Sequence, residues 1–156
     1  MIHFKNADKY VDSRFQRLFI LKVIDLVVEQ EEFVSIMSPS GSGKSTLLNI
    51  IGMLDKPSAG EYFFYDEPVH KFNERKTSSI HKEYMGFVFQ AYYLIDELTV
   101  YENIETPLLY RGVKSKERAS LVTEILDRFH MVAKKDLFPE QLSGEQQLLG
   151  VARAPI

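Results

Sequence analysis

Cysteine is missing from all 156 residues, which excludes a disulfide framework, a thiol nucleophile and any Cys-based metal site, and is compatible with a reducing cytoplasm. Histidine is scarce, and His3, His70, His81 and His130 stand at no metal-ligand spacing. No apolar run approaches the roughly 18 residues needed to cross a bilayer. The N-terminal stretch carries His3, Lys5, Asp8 and Lys9 without an uninterrupted apolar segment, so it does not read as a signal peptide. An excess of positive charge is lacking too. With 19 Lys and Arg against 22 Asp and Glu the formal net charge is −3, and the bases are scattered among acids, which argues against nucleic acid as an obligate partner. Internal repeats, low-complexity tracts and the composition of disorder are all absent. What is present, 45% apolar and 26% charged residues, fits a soluble globular domain with a real core.

Residues 2–37 read mostly as strand. Ile2-His3-Phe4 opens the chain, Leu18 to Val28 is β-branched, and Phe33 to Met37 is short and apolar, as a buried parallel strand should be. A helix follows from about Ser45 and stops before the turn cluster Asp55-Lys56-Pro57-Ser58-Ala59-Gly60. Glu61 to Tyr65 and Met85 to Gln90 read as further strands, with a short helix between Lys71 and Lys82. The pattern then turns helical: Tyr101 to Leu109, Lys116 to Phe129 with Leu121, Ile125, Leu126 and Phe129 on one face, and a last helix from near Gly144. The expected class is a mixed α/β core carrying a helical arm.

The most informative stretch is Ser38-Pro39-Ser40-Gly41-Ser42-Gly43-Lys44-Ser45-Thr46, between the expected strand and its helix. Two glycines let the backbone curl around phosphate oxygens, so that amides from about Ser40 to Thr46 form one anion-binding nest at a helix N-terminus. Lys44 is placed to reach β and γ phosphates, and the Ser45 hydroxyl to bind Mg²⁺. Ser40, Gly41, Ser42, Gly43, Lys44, Ser45 and Thr46 are therefore the candidate phosphate ligands. The strict pattern G-x-x-x-x-G-K-[ST] is broken at Ser38, where the first glycine should stand. If the loop needs positive φ there, serine costs roughly 1–2 kcal/mol.

Three further stretches, read with this loop, resemble the ATP-binding subunit of ABC transporters, most closely the lipoprotein-release and macrolide-export group. Gly86-Phe87-Val88-Phe89-Gln90 looks like the strand ending in the Q-loop glutamine; Leu98-Thr99-Val100-Tyr101-Glu102-Asn103-Ile104 resembles the start of the helical subdomain; Gln141-Leu142-Ser143-Gly144-Glu145-Gln146-Gln147, followed by Val151-Ala152-Arg153-Ala154, looks like the signature motif and its helix. Each alone is weak, since a glutamine after a strand is commonly just polar and Leu-Ser-Gly is a common helix entry with Ser143 as N-cap. Their order and spacing together carry the likeness over nearly the whole chain.

The resemblance implies a P-loop core of ABC ATPase type with an antiparallel β subdomain and a helical arm, divided as 1–90 core and antiparallel part, 91–145 helical subdomain and 146–156 start of the signature helix. It implies ATP and Mg²⁺ as cofactors, with Gln90 as a catalytic and metal-facing residue beside Ser45. Ser143 and Gly144 would serve as ligands to the nucleotide of a head-to-tail second subunit. Adenine in this family stacks on an early aromatic residue, for which Tyr10 is the candidate and Phe15 a second option. A transmembrane permease is the implied partner, nucleic acid is not, and the implied location is cytoplasmic, peripheral on the inner face of the cell membrane.

Departures gather towards the end. The signature has one glycine where the family has two, a one-residue deletion that rotates the rest of the helix by about 100°. Leu148 and Leu149 stand where Arg-Val is usual, and Pro155 falls where a helix would continue. No Walker B strand, D-loop or switch histidine comes after it, so the expectation is a C-terminally incomplete domain that holds nucleotide without efficient turnover. Two segments imitate the missing carboxylates, ending in Asp66-Glu67 and Asp96-Glu97; the first reads as a strand entering a turn, the second as the loop after Gln90. An unpaired P-loop strand would leave the isolated chain marginally stable or self-associating. A binding or regulatory remnant without turnover is the alternative function. A small-molecule P-loop kinase fits the loop but not the stretches around Gln90 and Ser143.

Overall fold

The computed structural model describes residues 1–154, and these divide into two compact units, Met1–Ser79 and a second beginning at Ile80. Pro155 lies outside the described residues. No helix among them is long and apolar enough to cross a membrane.

The first unit is built on a four-stranded antiparallel sheet of order β2-β1-β3-β4, formed by β1 (Ile2–Asp12), β2 (Arg17–Val28), β3 (Ala59–Phe64) and β4 (Glu67–Pro68). Phe4 pairs with Leu26 on one side and Tyr62 on the other, and the Phe4 and Tyr62 rings stack 4.3 Å apart at 9°, both almost fully buried. The β1–β2 ladder shifts register between Phe4 and Ala7, where Asn6 has φ 46° and Val23 φ 51°. A bulge of this kind strands backbone amides, and two aspartates take them up: Asp25 accepts from the Asn6 N–H at 2.8 Å and Asp8 from the Val23 N–H at 2.7 Å. Gly60 is forced by the same crowding, since at φ +81° a Cβ would lie 2.2 Å from the Asn6 carbonyl oxygen.

The single helix between β2 and β3, α1 (Lys44–Ile51), is anchored at both ends. At its far end Ile51 offers its carbonyl to the buried Tyr62 hydroxyl at 2.6 Å, and burial pushes that phenol's pKa well up. The turn cluster beyond it is tied to β1 by the Lys9 ammonium, which bonds Asp55 at 2.6 Å and the Lys56 carbonyl at 2.9 Å, and by Ser58, whose N–H donates to the Asp8 carbonyl at 2.7 Å. The turn after β3 is made by Tyr65 and Asp66, both at positive φ, 48° and 64°, one residue earlier than Asp66-Glu67 suggests; Glu67 already opens β4 and pairs with Lys76 at 3.0 Å on α2 (Glu74–Tyr84).

The second unit packs α3 (Val100–Tyr110), α4 (Ser115–Arg128) and α5 (Gln146–Arg153) around Val100, Ile104, Leu108, Val122, Leu126, Leu149 and Ala152. Leu121, Ile125 and Phe129 flank this cluster partly buried, so the expected apolar face of α4 is centred one position along, on Val122 and Leu126. Thr99 caps α3 in a reciprocal box with Glu102.

Two expected strands are not formed. Phe33–Met37 and Met85–Gln90 have no hydrogen-bonded strand neighbour among the described residues, and Phe33 and Met37 are 93% and 88% exposed rather than buried. An extended segment becomes a strand only by sharing its ladder, and apolar composition cannot supply the other side. Residues 87–89 keep the alternation of an extended chain, with Val88 exposed and the Phe87 and Phe89 rings stacked 5.8 Å apart.

Candidate nucleotide site

The loop from Ser38 to Gly43 is shaped by two left-handed glycines and one cation. Gly41 and Gly43 have φ +79° and +91°, a region costly to any residue bearing a Cβ. They differ in surroundings: a Cβ on Gly41 meets nothing within 4 Å, whereas one on Gly43 would lie 2.9 Å from both the Ile20 carbonyl oxygen and Leu21 Cδ2. Gly43 is thus where the loop lies flat on β2, and it also stands at the N-cap of α1. Ser38 is not among the described residues with positive φ, so its side chain carries no backbone strain there. Its hydroxyl shares a hydrogen bond with that of Ser42, which also donates to the Pro39 carbonyl at 2.8 Å.

Lys44 folds back across the loop, its Nζ donating to the Ser38 and Pro39 carbonyls at 2.6 and 2.7 Å. The first bond of α1 runs from the Leu47 N–H to the Gly43 carbonyl at 2.9 Å, and no protein acceptor among the described residues meets the N–H groups of Lys44, Ser45 or Thr46. Exposed amides at a helix start, a glycine held tight to the sheet and an ammonium on neutral carbonyls make a cradle that fits a polyphosphate anion. The Ser45 hydroxyl sits within that cradle's sequence, which suits a hard cation carried by such an anion.

Tyr10 lies opposite Phe19 in the β1–β2 ladder, and Phe19 directly precedes Ile20, whose carbonyl oxygen a Cβ on Gly43 would meet at 2.9 Å. The two rings meet at 63° with centroids 5.5 Å apart, and Arg17 spans Tyr10 with its guanidinium carbon 3.8 Å from the ring centre. Phe15 is 95% exposed at the hairpin tip.

The remaining candidates belong to the second unit. Gln90 is exposed at the start of a turn closed by the Tyr92 N–H on the Phe89 carbonyl at 3.1 Å. Tyr92 and Tyr93 come next with positive φ, 57° and 44°, and Arg153 of α5 holds both, donating to the Tyr93 and Tyr92 carbonyls at 2.8 and 2.9 Å. Burial lowers the Arg153 pKa. Ser143 and Gly144 are exposed, Gly144 with φ +80° and open space around it. Ser143 is not the N-cap: α5 starts at Gln146 with Glu145 in that place, because the left-handed turn at Gly144 delays the helix and the Lys134–Glu145 ion pair holds Glu145 at its mouth.

Sequence reasoning assigned no role to Asn103, Tyr62 or Arg17. Asn103 is completely buried and satisfied: its Oδ1 accepts from the Ile95 N–H at 2.9 Å, and its Nδ2 donates to the carbonyls of Ile95, Leu98 and Thr99 at 3.0, 2.9 and 3.0 Å. It thereby holds the Asp96-Glu97 segment in a turn, as an asparagine on the same helix face as Val100 and Ile104 could have signalled.

Over 156 residues the chain is 42% identical to the pyoverdine export ATP-binding/permease protein PvdT of Pseudomonas fluorescens, covering 99% of this chain but 24% of that protein. It is 40% identical to the ABC transporter ATP-binding protein YvrO of Bacillus subtilis, covering 99% and 68% of the two. A dimeric, post-hydrolysis structure of the ATP-binding cassette MJ0796 bound to ADP and phosphate superposes with a TM-score of 0.89 at 38% identity, over 99% of this chain and 69% of that one. The chain therefore spans about a quarter of the export protein. The family described as ABC transporter matches residues 21–156, and with the α/β arrangement above this establishes the chain as a member of the ABC transporter family, with the fold of its ATP-binding cassettes.

Proposed function

We propose that this chain is the ATP-binding part of an ABC transporter, gripping Mg-ATP through Ser40 to Thr46 so that a membrane permease can be driven in export or lipoprotein release. The observation that carries this reading is the loop itself, with the Lys44 ammonium lodged on two neutral carbonyls beside amides that meet no protein acceptor among the described residues. A polyphosphate offers Lys44 ionised oxygens instead, and charge-assisted hydrogen bonds are about twice as strong as neutral ones. The amides of Lys44, Ser45 and Thr46 add fixed dipoles that need no reorganisation.

Mg²⁺, if bound, would neutralise part of the polyphosphate charge, and Ser45 is the residue of the first unit that would hold it; Gln90 stands as a further candidate on the family resemblance alone. Tyr10 is the better placed of the two aromatic candidates for the adenine, since it pairs with Phe19, the residue before the Ile20 carbonyl that Gly43 approaches, while Phe15 projects from the hairpin tip. Ser143 and Gly144, exposed ahead of α5, are offered to the nucleotide of a second, head-to-tail subunit. The dimer named for the MJ0796 cassette and the permease named in the export relatives support these two partners, and with them a cytoplasmic place on the inner face of the membrane.

Titration of the full chain with a fluorescent ATP analogue tests the reading. Lys44→Ala removes a charge-assisted contact of about 1.5–3 kcal/mol, so affinity should fall roughly 10- to 100-fold while the melting temperature holds. Equal affinity in the two proteins would overturn it.

A further inference from the structure

The mouth of the β1–β2 hairpin carries four side chains on one face. Tyr10 pairs with Phe19 and Asp12 with Arg17, without a register shift between the two pairs, so alternation puts Tyr10, Asp12, Phe19 and Arg17 on the same side. Arg17 does two things there. Its Nε and Nη2 donate to the two oxygens of Asp12 at 2.7 and 3.2 Å, a forked pair that fixes the plane of the guanidinium. Its carbon then lies 3.8 Å from the centre of the Tyr10 ring. The side chains of Arg17 and Asp12 are 49% and 61% exposed, so the fork rather than packing holds the cation over the ring.

With Phe19 meeting the ring at a steep angle and Arg17 across one face, Tyr10 is braced from two directions while staying partly exposed. We propose that Arg17, clamped by Asp12, is the positioning residue of the Tyr10 ring and through it sets how tightly the base of a purine nucleotide is held. The inference rests on the nucleotide-binding reading above and concerns the base alone, not the phosphates. Preorganisation is the physical reason: a ring already immobilised by a cation loses little freedom when a base stacks on it. Lysine cannot reproduce the effect fully, because it lacks the planar fork that Asp12 grips.

Mg-ATP and Mg-tripolyphosphate, titrated separately into the full chain, distinguish the two readings. Arg17→Ala should weaken Mg-ATP about two- to fivefold and leave tripolyphosphate unchanged, Arg17→Lys should recover part of the loss, and in a Tyr10→Ala background Arg17→Ala should cost nothing more. Unaltered ATP affinity in Arg17→Ala, an equal loss for both ligands, or the same loss without Tyr10 would each overturn the positioning role while leaving the phosphate cradle standing. Failure of the unmodified chain to bind either ligand would remove the nucleotide reading and this inference with it.

Discussion

Alanine at the two loop glycines should have unequal consequences, although both have the same backbone handedness. At Gly41 the only cost is a Cβ in left-handed backbone, about 1–2 kcal/mol, because nothing lies within 4 Å of that position. Gly43 carries the same backbone cost and a steric one. The Leu21 methyl at 2.9 Å can rotate away, but the Ile20 carbonyl at 2.9 Å is backbone of β2, and displacing it disturbs the ladder with β1. Overpacking of this kind costs about 1–3 kcal/mol, so Gly43→Ala should lose about 2–5 kcal/mol in all. Urea unfolding followed by far-ultraviolet circular dichroism measures the difference. With a slope of about 2 kcal/mol per molar urea, the Gly43→Ala midpoint should fall roughly 0.5–1.5 M below that of Gly41→Ala. Absence of a folded baseline in Gly43→Ala alone gives the same order. Coincident midpoints, or a lower one for Gly41→Ala, would refute the seating of the loop on β2 at Gly43.

Two outcomes concern the helical unit. Asn103→Ala removes four hydrogen bonds at once and leaves part-buried backbone partners unsatisfied, at about 1–3 kcal/mol each where water cannot reach them, so proteolysis between residues 95 and 99 should accelerate well before global unfolding; an unchanged cleavage pattern would contradict the turn-holding role. Glu102 accepts from the Thr99 N–H and hydroxyl, both at 2.8 Å, and the backbone bond first, the hydroxyl second, lowers its carboxyl pKa. A lowered folded value means the cap stabilises fully above the ordinary carboxylate range and is lost as pH falls through the lower folded value. The stability gap between the natural protein and Glu102→Gln, from melts across pH, should therefore be open near neutrality and close in acid; a gap independent of pH would speak against the capping box.

Much of the site was legible because short-range chemistry dictates it. Glycines two apart, before a lysine and an apolar helix, mark a tight loop by their backbone freedom, and the Asp55 to Ser58 stretch breaks the chain before β3 by composition. Helices α3 and α4 declared themselves by period. The strands at Phe33–Met37 and Met85–Gln90 failed for the opposite reason: apolar residues state that a segment would accept a neighbour, not that one is there. The common helix-entry reading of Leu-Ser-Gly, with Ser143 as cap, does not apply because Gly144, two residues before α5, takes the chain through left-handed backbone and moves the helix start.

By itself, the order of residues determined the family and the glycine-rich loop before α1, since both depend on contiguous residues whose backbone freedom and charge act locally. Only the tertiary structure decided which glycine is pinned to the sheet, that Tyr62 reaches the far end of α1, that Asn103 fastens the loop before α3, and that Arg17 covers the Tyr10 ring. Those facts come from strand register and helix placement, which bring together side chains from different elements or different turns of the chain, and neither is written in any short stretch.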